Sequence, residues 1–338
     1  MKLVSYKKGK YDHLAVLLDG LLYDMNNIHP DLPDSMKMFL EDFADVFPVA
    51  QHCLRGISSN AIAKPTGFPV NSVELLSPVP FPSSCRDGYA FRRHVESARR
   101  NRGLDMIAAF DEYPVFYFTN HHAVQGPGDV LCMPDHFEKL DFELEVAAVI
   151  GRRGRNIPAD HADRYIAGLM IMNDFSARTL QQEEMLLSLA PAKGKDFSTS
   201  FGPSLVTTDE LRSFEIPCKK AHTGRSWNLR MCATVNGVKK SEGNLSDMDW
   251  TFAELIERAS YGADVFPGDI VGSGTIGTGC FLELNGTNKL TDPDYGEEWL
   301  REGDTIDLVV EGLGTLRNTI MREQSDMSLL QKKKTIFS

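Results

Sequence analysis

The chain has 338 residues, 42% of them apolar and 25% charged, with a formal net charge of −11. That length suits about two domains with a sizeable core, and the composition is that of an ordinary globular protein. The acidic excess argues against a nucleic-acid surface, which is basic, and against anionic membranes; no apolar run approaches the ~20 residues that span a bilayer.

The N-terminus, Met1 to Lys8, is charged and is followed by no apolar signal region. The apolar run Leu14 to Leu18 stops at Asp19-Gly20, so a cytoplasmic location is expected. That same stretch, continued by Leu21 to Tyr23, predicts a β-hairpin with a tight turn. An amphipathic helix is expected from Asp34-Ser35, because Met36, Phe39, Leu40, Phe43 and Phe47 share one helical face. The turn-rich passage Ala63 to Pro69 and the prolines Pro78, Pro80 and Pro82 end regular structure. We place a boundary there, with a small N-terminal domain over 1–76, a larger domain over 77–330 and a basic tail over 331–338.

The larger domain reads as β-rich. Gly128-Asp129, Gly268-Asp269 and Gly303-Asp304 each precede an apolar or β-branched run, as turns that launch strands do. Asn236-Gly237 between apolar stretches predicts a second hairpin. Helices are expected over Ala159–Met172, Ala177–Leu189 and Trp250–Ser260. Strands and helices do not alternate regularly, which disfavours a doubly wound parallel sheet and points to an α+β fold with a large mixed or barrel-like sheet. The six cysteines (Cys53, Cys85, Cys132, Cys218, Cys232, Cys280) form no Cys-x-x-Cys pair, so reduced thiols and no zinc site are expected.

The most informative stretch runs from Lys139 to Gly151. Asp141, Glu143 and Glu145 fall at i, i+2 and i+4, on one face of a β-strand, with Phe142, Leu144 and Val146 on the other. The strand continues into five apolar residues and so enters a core. Carboxylates crowded there repel one another and lose hydration; a hard divalent cation offsets both. The plainer account is a solvent-facing acidic strand.

Four other segments carry reactive side chains. Arg86 to Val95 brings Asp87, Tyr89 and His94 within eight residues; it also reads as a loop entering a charged helix. Asp174, in Met172 to Arg178, precedes an expected helix, where an Asp is usually an N-cap. Lys195 lies in the turn-rich Lys193 to Pro203, which lacks the spacing of a phosphate-binding loop; it is suited either to hold a developing oxyanion or to a surface loop. The glycines of Val271 to Gly279 let backbone approach a ligand or serve a tight hairpin. Glu283, expected in a strand between Leu282 and Leu284, is suited to orient a histidine.

In this order the motifs resemble the fumarylacetoacetate hydrolase family over roughly residues 80–325. The matching pieces are Asp87-x-Tyr89-x4-His94, Phe142-Glu143-Leu144-Glu145, Asn173-Asp174-Phe175-Ser176-Ala177-Arg178, Gly194-Lys195-x-Phe197-x-Thr199, and Gly272-Ser273-Gly274-Thr275-Ile276 with Leu282-Glu283-Leu284. The resemblance implies a mixed β-sandwich roll, or partly open barrel, with a small N-terminal α/β domain, usually assembled as a homodimer. It implies a divalent cation, Mg²⁺ or Mn²⁺ and less readily Ca²⁺, on Asp87, Glu143, Glu145 and Asp174. Asp141 matches an acid that is not a ligand. It also implies His94 as the base, oriented by Glu283, with Lys195 offsetting excess negative charge. Tyr89, Arg178, Thr199, Thr275 and, on a looser alignment, Tyr117 would contact substrate. The basic segment Arg99 to Arg102 lies one residue out of register with the arginine expected for a substrate carboxylate.

These assignments predict metal-dependent hydrolysis of a carbon–carbon bond in a 1,3-dicarbonyl acid. The first candidate is 4-fumarylacetoacetate, cleaved to fumarate and acetoacetate in tyrosine breakdown. The rivals on this scaffold are acylpyruvate or fumarylpyruvate hydrolysis, oxaloacetate decarboxylation and hydration of an oxo-pentenoate. A non-enzymatic acidic binding module is disfavoured because every motif position is filled.

Overall fold

The computed structural model describes residues 1–189 and 191–332; residues 333–338 of the expected tail lie outside them. Two mixed sheets face each other. The larger runs, in spatial order, through Phe68–Pro69, Leu21–Asp24, Tyr11–Leu18, Lys2–Lys8, Thr199–Thr207, Ile166–Asp174, Leu144–Ile150, Ile270–Gly272, Cys85–Gly88 and Phe116–Thr119, with Glu74–Leu75 and Val124–Gln125 off this path. The second has five strands, Val238–Asn244, Arg230–Val235, Thr305–Val310, Gly314–Arg322 and Gly128–Cys132. The fold is α+β with no closed barrel, as expected. The N-terminal strands extend the large sheet through pairing of Lys2–Lys8 with Thr199–Thr207.

The alternation of the central strands assigns their two faces. Leu144, Val146, Ala148 and Ile150 enter the core between the sheets with Met231, Ala233, Ile306, Leu308 and Leu316. Ala147 and Val149 point the other way, into a core shared with Leu3, Leu14, Phe39, Leu40 and Met170. A strand apolar on both faces is what a sheet covered on both sides requires.

Both hairpins form as expected, with Asp19-Gly20 and Asn236-Gly237 at positive φ, the geometry these pairs favour. The three Gly-Asp turns each open or precede a strand. Ser35 caps the first amphipathic helix, accepting from Met38 N–H at 3.4 Å. The expected single helix is two, Met36–Glu41 and Phe43–Ser58. The helix expected over Trp250–Ser260 spans Phe252–Ser260, with a reciprocal cap between Thr251 and Glu254.

Other expectations are corrected. Ala159–Met172 is not one helix: helix occupies Ala159–Ala162, and Ile166–Asp174 is a strand buried at every position. An apolar run covered on both faces carries no periodicity to separate strand from helix. The helix expected to Leu189 ends at Met185. Glu283 lies in the first turn of a helix, Phe281–Thr291, not in a strand. The acidic strand is interrupted: Leu140–Asp141 pairs with Ser176–Ala177, and a separate strand begins at Leu144. Among the described residues no helix is long and apolar enough to cross a membrane.

His136 supports the segment that carries Lys195. Its ring lies 4.1 Å from that of Phe197, and its Nδ1 accepts from Met133 N–H at 3.2 Å. Burial, then the charge of Lys193, lowers its pKa to about 4. The unfolded chain binds this proton at about 6.5. The neutral ring therefore contributes stability that is complete above that value and is lost as pH falls toward 4. We expect wild type to lose about 2 kcal/mol more than His136→Gln between pH 7 and pH 5, read from urea denaturation at the two pH values. Equal losses would remove His136 from this account.

Candidate active site

Asp87, Tyr117, Glu145, Asp174, Thr199 and Gly272 occupy one face of six adjacent strands, while Glu143 and Lys195 reach the site from connecting segments. Register places them: Asp174 opposite Thr199, Asp87 opposite Tyr117, and Gly272 between Asp87 on one neighbour and Ala147 on the other. Period-two alternation puts Glu145 on the face of Ala147 and Asp174 on that of Met172. Gly272 is required here, since a Cβ would collide with Asp87 Oδ1 and approach Met172 Sδ to 2.9 Å. Gly274, at φ +79°, lets its N–H donate to Asp87 Oδ1 at 3.0 Å.

The four expected metal ligands are all buried, Asp87 at 3% exposure, Glu143 at 4%, and Glu145 and Asp174 at 0%. They form two linked pairs. Lys195 donates to Glu143 Oε2 and, at 2.7 Å, to Asp174 Oδ2. Asp87 and Glu145 stand close enough for the charge of Asp87 to act on Glu145. Tyr117 donates its phenol to Asp174 Oδ2, Thr199 reaches Asp174 Oδ1 at 3.4 Å, and Thr275 donates to Glu145 Oε1 at 2.9 Å.

Electrostatics divides the pairs. Burial and the charge of Asp174 push Asp87 up to about 7, and burial with the charges of Asp87 and Glu143 holds Glu145 well above the carboxylate range. Burial would raise Glu143 too, but Lys195 and Arg178 hold it down at about 2. Burial disfavours the Lys195 ammonium, yet Asp174 and Glu143 keep it charged.

Glu145 Oε2 is buried without a hydrogen-bond partner. An unsatisfied carboxylate oxygen among three other acids suits a hard divalent cation, which takes oxygen ligands. Asp87, Glu143, Glu145 and Asp174 could hold one, with the Lys195 ammonium moving aside from Glu143 and Asp174.

Next to these acids stands a histidine pair. His94, on the helix Arg92–Arg100, has Nδ1 2.7 Å from Glu283 Oε2. The Glu283 helix packs against it, with Asn101 Nδ2 donating to Glu283 O at 3.1 Å. Tyr89 meets the His94 ring edge to face at 5.9 Å between centroids. Burial raises the Tyr89 pKa, and the exposed Arg102 is the charge that most opposes this. Arg102, in the basic segment, is thus near enough for its charge to act on Tyr89.

Arg178, expected against substrate, is elsewhere engaged. Its guanidinium donates to Asp141 Oδ2 at 2.9 Å, Glu143 Oε1 at 2.7 Å and Gln181 Oε1 at 3.0 Å. Asp141 in turn accepts from the Phe281 and Leu282 N–H groups at 2.7 and 2.9 Å, anchoring the start of the Glu283 helix. Sequence reasoning set Asp141 aside; its signal was only its place in the acidic alternation. Asn173, whose Oδ1 accepts from Glu143 N–H at 3.0 Å, was likewise quoted without a role.

The "Fumarylacetoacetate (FAA) hydrolase C-terminal" family model matches residues 84–321, and the chain belongs to the fumarylacetoacetate hydrolase family. The chain is 29% identical over 311 residues to the mitochondrial oxaloacetate tautomerase FAHD2A of Bos taurus, covering 89% of this chain and 84% of that one. It is 29% identical over 260 residues to the oxaloacetate tautomerase YisK of Bacillus subtilis, covering 75% of each. Its fold is similar to that of maleylpyruvate hydrolase from Sphingobium sp. SYK-6, solved with manganese(II) and pyruvate. There the TM-score is 0.68 at 20% identity, covering 96% of this chain and all of that one.

Proposed function

We propose that the chain catalyses divalent-cation-dependent proton transfer beside a carbonyl of a 2-oxo dicarboxylic acid, with keto–enol interconversion of oxaloacetate as the first candidate. The observation that carries this is the His94–Glu283 pair at 2.7 Å beside four buried carboxylates. The tautomerases similar over most of the chain favour oxaloacetate over the dicarbonyl first expected.

When bound, the cation supplies Lewis-acid polarisation of the substrate's carbonyl oxygens. Glu283 accepts the Nδ1–H of His94, which leaves Nε2 as the base. Nε2 takes the C3 proton of the keto form, and Glu283 stabilises the imidazolium until the proton is returned to oxygen or carbon. We assign the substrate carboxylate to Arg102, whose charge acts on Tyr89. Lys195 and Thr199 meet negative charge that develops on the substrate.

A second reading is hydrolysis of a 1,3-dicarbonyl acid such as 4-fumarylacetoacetate, with His94 taking its proton from water. What favours it is the acid partner: the third residue after His94 is Ser97, and Glu283 on a separate helix stands in the place a His-x-x-Glu pair would fill.

The test is a substrate panel with Mg²⁺ or Mn²⁺, before and after chelation. We expect the enol absorbance of oxaloacetate to relax faster, with no carbon lost, and chelation to abolish the effect. Fumarate release from fumarylacetoacetate would select the second reading. No acceleration of oxaloacetate, fumarylacetoacetate, fumarylpyruvate or acetylpyruvate would overturn both.

A further inference from the structure

Cys280 is fully buried at the N-terminus of the Glu283 helix and has no part in the proton transfer above. Its sulfur, a His94 ring nitrogen and a Glu283 carboxylate oxygen lie within 4.8 Å of one another. Among the described residues no other three His, Cys, Asp or Glu side chains bring ligand atoms that close. The four site carboxylates do not, and Lys195 stands between two of them, Glu143 and Asp174.

We propose that His94, Cys280 and Glu283 form an inhibitory site for a thiophilic divalent cation, Zn²⁺ foremost. One nitrogen, one sulfur and one carboxylate oxygen make a three-ligand zinc set, with the fourth position open to water. Zinc–ligand bonds of about 2.0–2.3 Å place tetrahedral neighbours about 3.5 Å apart, so the trio needs to close by about 1 Å. His94 and Glu283 are already at 2.7 Å and must open slightly. Binding replaces the thiol proton of Cys280, which leaves to solvent, and forms a bond to sulfur with no change of oxidation state. Burial and the charge of Asp141 hold that thiol protonated when no cation is bound.

Ligand hardness separates the two sites. Oxygen donors suit Mg²⁺ and Mn²⁺, whereas thiolate and imidazole favour Zn²⁺. A cation on Nδ1 takes the place of the hydrogen bond to Glu283 that fixes the tautomer and stabilises the imidazolium, so Zn²⁺ stops turnover while the carboxylate site stays filled. No Cys-x-x-Cys spacing announces this site, because its ligands come from two helices joined only in space.

The binding arm of the test does not depend on the reaction. Full-length protein saturated with Mg²⁺ is titrated with Co²⁺ and its near-ultraviolet absorption recorded. We expect a thiolate-to-cobalt charge-transfer band that saturates at one ion per chain, disappears on adding Zn²⁺, and is missing in Cys280→Ser and Cys280→Ala. Serine is a favoured N-cap, which protects the fold of the first variant, and circular dichroism checks both. The activity arm compares Zn²⁺ inhibition, each variant scaled to its own zinc-free rate. We expect Cys280→Ser to need at least about 10-fold more Zn²⁺, the lower bound for losing even an outer-shell partner. A band that survives in both variants, no band in wild type, or unchanged zinc sensitivity would overturn the site. A panel without turnover would overturn the proposed reaction but leave the cobalt result to judge this site.

Discussion

His94→Ala is expected to lower kcat by about 10²–10⁴-fold, the usual contribution of a positioned acid–base group, while Mn²⁺ binding is retained. The two readouts separate because the imidazole belongs to the pair with Glu283 on two helices, while Asp87, Glu145 and Asp174 stand on the sheet and Glu143 just before one of its strands. His94 is on the helix Arg92–Arg100, and its Nδ1 partner is Glu283. Glu283→Gln is expected to fall in the same direction, since an amide can donate to Nδ1 and leave the other tautomer in place. Calorimetric titration with Mn²⁺ beside steady-state kinetics checks both variants. Turnover unchanged in His94→Ala would remove the base from the mechanism; loss of Mn²⁺ binding along with turnover would show that the two groups are not separate.

The parts of this site that were legible in the sequence are those fixed by local pattern. Alternation around Glu145 marked the strand that begins at Leu144; Glu143 lies in the break before it, yet both acids are buried. Asp19-Gly20 and Asn236-Gly237 specified their turns because few residue pairs tolerate positive φ twice. What local pattern could not supply was partnership across the chain. Ile166 to Met172 is apolar without period because cores lie on both sides of its strand, so helix and strand were indistinguishable. Leu282-Glu283-Leu284 alternates like a strand, yet Asp141, 140 residues away, caps Phe281 N–H and starts a helix there. Arg178 was assigned to substrate by motif; two buried acids hold its guanidinium instead. Cys280 carried no signal at all, since its neighbours His94 and Glu283 meet it only in the fold.

Asp141→Ala is expected to cost about 3–5 kcal/mol of stability, the range for breaking a buried ion pair by removing one member. Asp141 is fully buried, and its loss leaves the Phe281 and Leu282 N–H groups without their acceptor. It also leaves Arg178, 2% exposed, to be balanced by Glu143 alone. Structural loss is only part of the expectation. Asp141 ties the arginine that holds Glu143 to the helix that carries Glu283, so it sets the carboxylate cluster and the histidine pair at a fixed separation. If that link positions Glu283, Asp141→Ala lowers kcat by about 10-fold or more at temperatures where the protein is still folded, with KM little changed. Asp141→Asn, which keeps one acceptor oxygen for the helix start, recovers part of the rate. Arg178→Lys gives the contrasting signature. A substrate-binding arginine would raise KM on that change; an arginine held by Asp141 and Glu143 loses stability, because an ammonium cannot reproduce its forked contacts, and leaves KM near wild type. Thermal denaturation with kcat and KM for the three variants decides between these roles. Asp141→Ala with lowered stability but an undiminished kcat would reduce Asp141 to a support of the fold alone.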